Sequence, residues 1–457
     1  MSGMRTFRGN DKCKKDCFVA LLLAMTLEEN FAMSMQLGLL TRTKKIMRNI
    51  WNTLFLEERA SVGLSFFRVF VALTVGLHVI PSFFHLDDNY LSTAFKTFNY
   101  DFFPSSFIDW VQKSPDALVI FFVVAFIVTW FCFFIGLFSQ LSCILMTGCC
   151  YYFYALNCFH IGTLSWDILL VTLFLMCLTP YHGDYFSVDA LRRGDIDSWH
   201  RPRPFFIQRL LQLQIASMFF FTGLYKITGE GNWITGNPIY YLMSYPAQGV
   251  TKHFLLKEWM AMHPHFCYGT GLMIVATEIS MPFLLFIPKT RRTAIILGFF
   301  WHLLLILTLD VPAIFLFLFP AQMLLFIHPQ KITDWIESKR RVNAQSPRPK
   351  LMYDGDCGFC RASVRLLEVM DLWGKIECAP GHKGMSEMRL DFPDGKTYGG
   401  FFAFRQLVWL LPMLYPMIPV AYFPGSGILG PVIYRWIARN RHLFSRFRPY
   451  PKEWCKL

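Results

Sequence analysis

Eight apolar runs, each near the length needed to cross a bilayer, dominate the sequence and restrict its fold more than any other feature. They fall at residues 64–84, 116–137, 140–157, 163–180, 206–226, 267–287, 294–309 and 311–328. About 20 apolar residues in a helix span the hydrocarbon core, and a helix satisfies its own backbone there. The last two runs are short, and Leu309, Asp310, Val311 and Pro312 between them read as a re-entrant turn or tight hairpin. The chain has 457 residues, of which 54% are hydrophobic and 16% charged, far from a soluble globular composition. That length accommodates a membrane block and one small soluble domain.

Charge placement gives the orientation. The net charge of +13 lies in short basic clusters beside apolar runs, which the positive-inside rule explains better than nucleic acid does. Lys44, Lys45 and Arg48 precede the first span, and Arg192, Arg193, Arg201 and Arg203 separate the fourth from the fifth. Lys289, Arg291 and Arg292 separate the sixth from the seventh; Lys331, Lys339, Arg340 and Arg341 follow the eighth. The alternate loops are poor in Lys and Arg. The expectation is an inner-membrane, multi-pass protein with both termini in the cytoplasm and lipid as its surroundings. Residues 18–40 are interrupted by Glu28, Glu29 and Asn30, so they read as an amphipathic leader rather than a cleavable signal. Starts at Met33, Met35 or Met47 remain open. The thirteen cysteines are scattered, many inside apolar runs, and do not form a disulfide framework. The organisation is a leader (1–59), a transmembrane domain (60–328), a linker (329–349), a cysteine domain (350–445) and a basic tail (446–457). The apolar stretch 402–423 holds Pro412, Pro416 and Pro419, which favour short packed helices over a ninth span.

Several polar residues sit where hydrocarbon is expected. The fifth span carries Arg209, Gln212 and Gln214 and ends on Lys226, followed by a glycine-rich turn with Trp233 as an interfacial anchor. His160 and Asp167 stand where the chain re-enters from outside, Glu278 mid-way along the sixth span, and His302 mid-way along the seventh. A charge at such a depth costs ~2.5 to 3.5 kcal/mol on insertion scales, so each needs a reason to be there. Two readings stand: ion pairs and hydrogen bonds that hold helices together, or a dry pocket in which a desolvated lysine acts as a base. On the second, Lys226→Met should abolish activity and leave the protein abundant. Arg68 reads as a snorkelling or helix-packing residue.

In the C-terminal part, LMYDGDCGFCR places Cys357 and Cys360 between a strand-like start and a helical continuation. That is the pattern of a thiol redox site, because unsatisfied amides at a helix N-terminus favour a thiolate. Cys357 is expected to attack and Cys360 to resolve, with Arg361 adding positive charge and Asp354 and Asp356 opposing it. The competing reading is a zinc knuckle of Cys357, Cys360, Cys378 and His382. The basic run Arg435, Arg439, Arg441, Arg446 and Arg448 reads as a solvated helix face near anionic headgroups.

Residues 60–328, through LQLQIASMFFFTGLYKITGEGNWITG and FFWHLLLILTLDVPAIFLF, resemble the HTTM superfamily, which includes the vitamin K-dependent gamma-carboxylase and is related to lipase maturation factors. The resemblance implies Lys226 as the base, His302 as its supporting histidine, and a cavity for a quinone (vitamin K-like) or a lipid. Protein carboxylation is not implied, since the extended extracytoplasmic domain is missing. Residues 350–445 resemble the DCC family of thiol-disulfide oxidoreductases through YDGDCGFC, DGKTYGGFFAFRQLVWLLP and VIYRWIARNRHLFSR. That implies a small α/β thioredoxin-like fold, although no proline stands near KTYGG where thioredoxins keep their cis-proline. Together these suggest an integral membrane oxidoreductase with a thiol redox partner. The alternative is a non-enzymatic maturation or export factor for a secreted client protein or peptide. Transport gains no support, because no pair of broken spans repeats in two halves.

Overall fold

The computed structural model describes residues 42–49, 51–98, 103–158, 164–193, 201–229, 232–245, 254–309, 314–382 and 384–441. Residues 1–57 with 204–206 form one compact unit, and the remaining residues form the other. In the first, a helical turn at Asn52–Leu56 sets the Phe55 ring 5.9 Å from Phe206. The leader read at 18–40 lies outside the described residues.

In the larger unit, helices occupy all eight apolar runs: α1 (Val62–Val79), α2 (Asp116–Ile135), α3 (Ser139–Leu156), α4 (Leu164–Cys177), α5 (Phe206–Thr228), α6 (Pro264–Phe286), α7 (Arg291–Thr308) and α8 (Ile314–Leu324). Among the described residues, five segments are long and apolar enough to cross a membrane: Val62–Asn89, which extends α1, and α2, α5, α6 and α7. The other three fall short in length or apolarity, so the expected count of eight spans is not reached on these grounds. Polar content weakens α3, which carries Ser139, Gln140, Ser142 and Thr147, whereas α4 and α8 are short, with 14 and 11 residues.

Several long polar side chains in these helices are answered by protein. Arg68 is fully buried, so it packs helices rather than snorkelling. Its guanidinium donates to the carbonyls of Phe133 (2.7 Å) and Phe134 (3.1 Å) at the end of α2, and to that of Phe186. Helix C-termini leave such carbonyls without intrahelical partners. Gly136 ends α2 at φ +71°, and a Cβ there would stand 2.4 Å from the Arg68 Nη1, so both backbone angle and close approach require glycine. On α5, the amides of Gln208 and Gln212 both donate to the carbonyl of Leu325, at 2.7 and 2.8 Å, and Arg209 donates to Gln212 Oε1. Gln322 on α8 donates to Thr172 on α4, whose hydroxyl donates to Gln214 Oε1 on α5. These bonds give the amides of α5 a structural purpose.

The stretch read as a linker contains a helix, α9 (Pro329–Ala344). Ile336 on α9 shares a buried cluster with Val62, Tyr185 and Leu372. The Trp335 ring meets Trp373 edge-on at 5.8 Å, and Asn343 donates to the Trp373 carbonyl. Charge and proline had masked an apolar spacing that suits a helix lying on a surface.

The C-terminal domain is a mixed sheet of β1 (Lys350–Tyr353), β2 (Glu377–Pro380), β3 (Arg389–Asp391) and β4 (Thr397–Gly399), in the order β2-β1-β3-β4. β1 and β2 are parallel, joined over α10 (Gly358–Met370), and β3 and β4 form an antiparallel hairpin. Parallel neighbours need such a crossover. Leu351, Leu390, Val364 and Leu407 close the core against α11 (Gly400–Leu410). After Leu411 the chain breaks into short turns, as the prolines require, and then forms α12 (Ser426–Arg439).

Replacing Arg68 with leucine withdraws a charged donor from three carbonyls in the interior, of which that of Phe133 keeps the Gly136 N–H at 3.1 Å. Hydrogen bonds from a charged donor contribute ~1.5 to 3 kcal/mol each, so Arg68→Leu should cost about 3 kcal/mol or more. Thermal unfolding in detergent would show this as a clear drop in midpoint; a midpoint within about 1 °C of wild type would contradict the packing role.

Candidate functional site

Two places gather reactive side chains. The first is a cavity of about 480 Å³ bounded by α5, α6, α7 and α8 and by the short helices Asn237–Ser244 and Lys257–Ala261. Most of its wall is apolar, including Phe219, Met243, Trp301 and Phe319. Its polar groups include Lys226, Glu278 and His302.

Local sequence explains how they meet. Gly223 lies one turn before Lys226, and a Cβ there would stand 2.8 Å from Ile279 and 3.1 Å from the Glu278 Cβ. The missing side chain lets α5 and α6 approach closely. Lys226 Nζ consequently donates to both Glu278 carboxylate oxygens at 2.7 Å. The ammonium also lies 5.1 Å from the centre of the Trp233 ring, within cation–π range. Trp233 is held there because the turn at Trp233–Thr235 rests on Gly271 of α6, where a Cβ would meet the Trp233 carbonyl at 2.2 Å. On α7, His302 is buried and its Nδ1 lies 2.7 Å from the Gly298 carbonyl. A carbonyl can only accept, so Nδ1 carries the proton and Nε2 keeps its lone pair. Among the described residues, Nε2 has no hydrogen-bond partner, and His302 lines the cavity.

Four of the sequence candidates therefore come together: Lys226, Glu278, His302 and Trp233. Asp167 does not join them. It lies on α4 and accepts a 2.5 Å hydrogen bond from the Tyr154 hydroxyl. His160 lies outside the described residues. The Glu278 pairing also changes the expectation for Lys226→Met, because removing the lysine leaves a carboxylate unpaired in an apolar cavity.

The second place is the N-terminus of α10. Cys357 is its N-cap, and the Cys357 sulfur accepts from the Cys360 backbone N–H at 3.3 Å. Both thiols are free and half-buried. Burial first, and then the hydrogen bond and charge of Cys357, push the Cys360 thiol up to about 12. Arg441 opposes this shift. Its Nη1 lies 3.8 Å from Cys360 Sγ, 3.2 Å from the buried Asp354 carboxylate and 3.1 Å from the Met385 carbonyl that it donates to. Burial works against the charge on Arg441, but Cys357, Cys360 and Asp354 hold it above the ordinary arginine range. Asp354 also accepts from the Asp356 N–H, and Arg361 turns away to the Gly355 carbonyl.

Arg441 corrects the reading of a uniformly solvated basic face. At 100° per residue, Arg435 and Arg439 fall on one side of the helix and Arg441 roughly opposite, facing the sheet. That spacing was the available signal. The zinc set is not assembled. Cys378 lies within β2, paired beside Leu351 and packed on the core, with its thiol pushed up to about 12 by burial and then by Glu368 and Asp371. His382 is exposed, and among the described residues no three His, Cys, Asp or Glu side chains are placed to hold a metal ion.

Removing one member of a buried ion pair costs ~3 to 5 kcal/mol, whereas replacing both with apolar groups is often neutral. Lys226→Met and Glu278→Met should each lower stability in detergent, and the double variant should recover most of the loss. Additive losses would show that the two do not act as a pair.

A family model described as the HTTM domain matches residues 56–335. A second, described as a DCC1-like thiol-disulfide oxidoreductase, matches residues 351–447. Neither the curated proteins nor the solved structures contain a match.

Proposed function

The chain belongs to the HTTM domain family and carries a DCC1-like thiol-disulfide oxidoreductase domain; on that premise we propose that it is a membrane thiol-disulfide oxidoreductase. The observation that carries this is the asymmetry of the two cysteines, one at a helix N-cap and the other buried beneath an arginine. The sheet order and the crossover that begins at the cysteine pair support a thioredoxin-like exchange domain.

In the exchange, the Cys357 thiolate attacks one sulfur of a partner disulfide, and the other partner sulfur leaves as a thiolate. Cys360 then loses its proton and attacks Cys357 Sγ, and the second partner thiolate departs. Two electrons pass from the dithiol to the partner, which takes up two protons. Run backwards, the same steps oxidise a partner dithiol. In the mixed disulfide Cys357 no longer bears charge, so burial is the main obstacle to ionising Cys360, and Arg441 lies closest to the developing thiolate.

The membrane cavity suits a lipid-soluble ligand with a small polar head, such as a quinone or a lipid. Its apolar wall would take the hydrocarbon, His302 Nε2 would accept a hydrogen bond, and the Lys226 ammonium would donate one. A bound quinone would supply two-electron redox chemistry. Lys226 and Glu278 would keep a fixed charge pair beside the head group, and Trp301 and Phe319 would exclude water.

The test of the exchange is capture of mixed disulfides with full-length protein. Cys360→Ser should accumulate Cys357-linked adducts with a model disulfide, and Cys357→Ser should form none. With Cys357 tied up in the adduct, burial still holds the Cys360 thiol above its ordinary value. Resolution of the adduct in the wild type should accordingly keep accelerating as the pH rises above 7. A plateau below pH 8 would contradict a buried resolving thiol. Zinc that co-purifies with the protein and is lost in either variant would overturn the redox reading.

The distribution of basic loops supports a cytoplasmic cysteine domain, with both termini on that side of the cell membrane. A membrane-impermeant thiol reagent should leave Cys357 unmodified in intact cells and modify it after permeabilisation. Modification of Cys357 before permeabilisation would reverse the orientation.

A further inference from the structure

Among the described residues, the last helix of the cysteine domain presents an apolar face that remains largely exposed. On α12, Ile428 is 77% exposed and Leu429 62%, and Val432, Ile433 and Trp436 are exposed beside them. At 100° per residue these five form one stripe roughly 140° wide. The opposite side of α12 is the packed one: Gly430 meets the Phe401 ring, and the Tyr434 hydroxyl accepts from the Met388 N–H. The turn just before α12 extends the patch, with Val420 68% and Phe423 66% exposed. Arg435 and Arg439, both exposed, border the stripe along one edge.

A contiguous apolar surface of this kind on a soluble domain marks an interaction site. Its chemistry selects the partner. Apolar side chains with a tryptophan among them and arginines along one border match the profile of a bilayer interface, where rings and aliphatic groups enter the acyl boundary and guanidinium groups reach phosphates. A second copy of the chain would bring the same arginines against these. The bilayer is also close at hand. Leu372 of this domain shares a buried cluster with Val62, the first residue of the first span, so the domain is packed against the membrane block.

We propose that the exposed face of α12, with Val420 and Phe423, docks the cysteine domain on the anionic leaflet of the membrane that the chain spans. This rests on the membrane assignment but not on thiol chemistry. Arg441 follows α12 by two residues and touches Cys360. Docking thus holds the cysteine pair near headgroup level, within reach of membrane-borne thiol partners.

The test uses the full chain in nanodiscs of phosphatidylcholine with about 30% phosphatidylglycerol, an anionic content chosen to give a negative surface. A nitroxide attached through p-acetylphenylalanine at Ile433 leaves every native cysteine intact, and Asp394, on the β3–β4 hairpin, serves as the solvent-facing control position. The label at 433 should collide with oxygen several-fold more than with a water-soluble nickel chelate, and the label at 394 should show the reverse. Arg435→Glu with Arg439→Glu should shift the label at 433 towards the nickel-accessible side. Nickel accessibility at 433 equal to that at 394 overturns the proposal. Exclusion of both agents, with spin–spin broadening between copies, overturns it in favour of a self-association surface; exclusion without broadening overturns it in favour of a protein partner. Mixed-disulfide capture by Cys357 reports separately on the redox reading, whichever way the label behaves.

Discussion

Hydrocarbon offers a polar group no water, and the arrangement of this membrane block follows from that. Small hydroxyls such as those of Thr74 and Thr129 bond within their own helix, whereas several of the longer polar side chains are answered from elsewhere, and those answers help decide which helices touch. Gln208 and Gln212 of α5 converge on the carbonyl of Leu325. Arg68 of α1 closes the end of α2. Lys226 and Glu278 fasten α5 to α6, where Gly223 lets the helices meet. Such bonds contribute modestly to net stability, yet they are costly to break, so they specify one packing among many that apolar surfaces alone would allow.

Against this background the cavity stands out for what it leaves unanswered. His302 spends one ring nitrogen on the Gly298 carbonyl and presents the other to an apolar space. In the cysteine domain the contrast runs the other way. The Cys360 sulfur meets Arg441, which is held in turn by the Asp354 carboxylate. Both sites combine one well-held residue with one reactive atom left accessible.

Much of this was legible in the sequence because hydrophobic run length, loop charge and the spacing of two cysteines are local signals. All eight apolar runs became helices, although among the described residues five segments have the length and composition of a span. Lys226, Glu278, His302 and Trp233 could be nominated by their cost in hydrocarbon, but their pairing depended on which helices become neighbours, which spacing does not encode. Asp167 had the same credentials and went to Tyr154 instead. Arg441 was hidden by its company: three arginines at short intervals look alike until helical phase separates them. The helix α9 was hidden by composition, since a polar, proline-flanked stretch with a sparse apolar row resembles a tether.

That helix sets how far the redox domain can travel. A flexible tether of its length would let the cysteine pair sample a volume around its anchor and meet partners at a high effective concentration. Sixteen helical residues instead make a strut of about 24 Å, held at its middle by Ile336 and near its C-terminal end by the bond from Asn343 to Trp373. The cysteine pair is therefore stationed rather than tethered. Its choice of partner is limited less by chemistry than by which thiols can be carried to that one address.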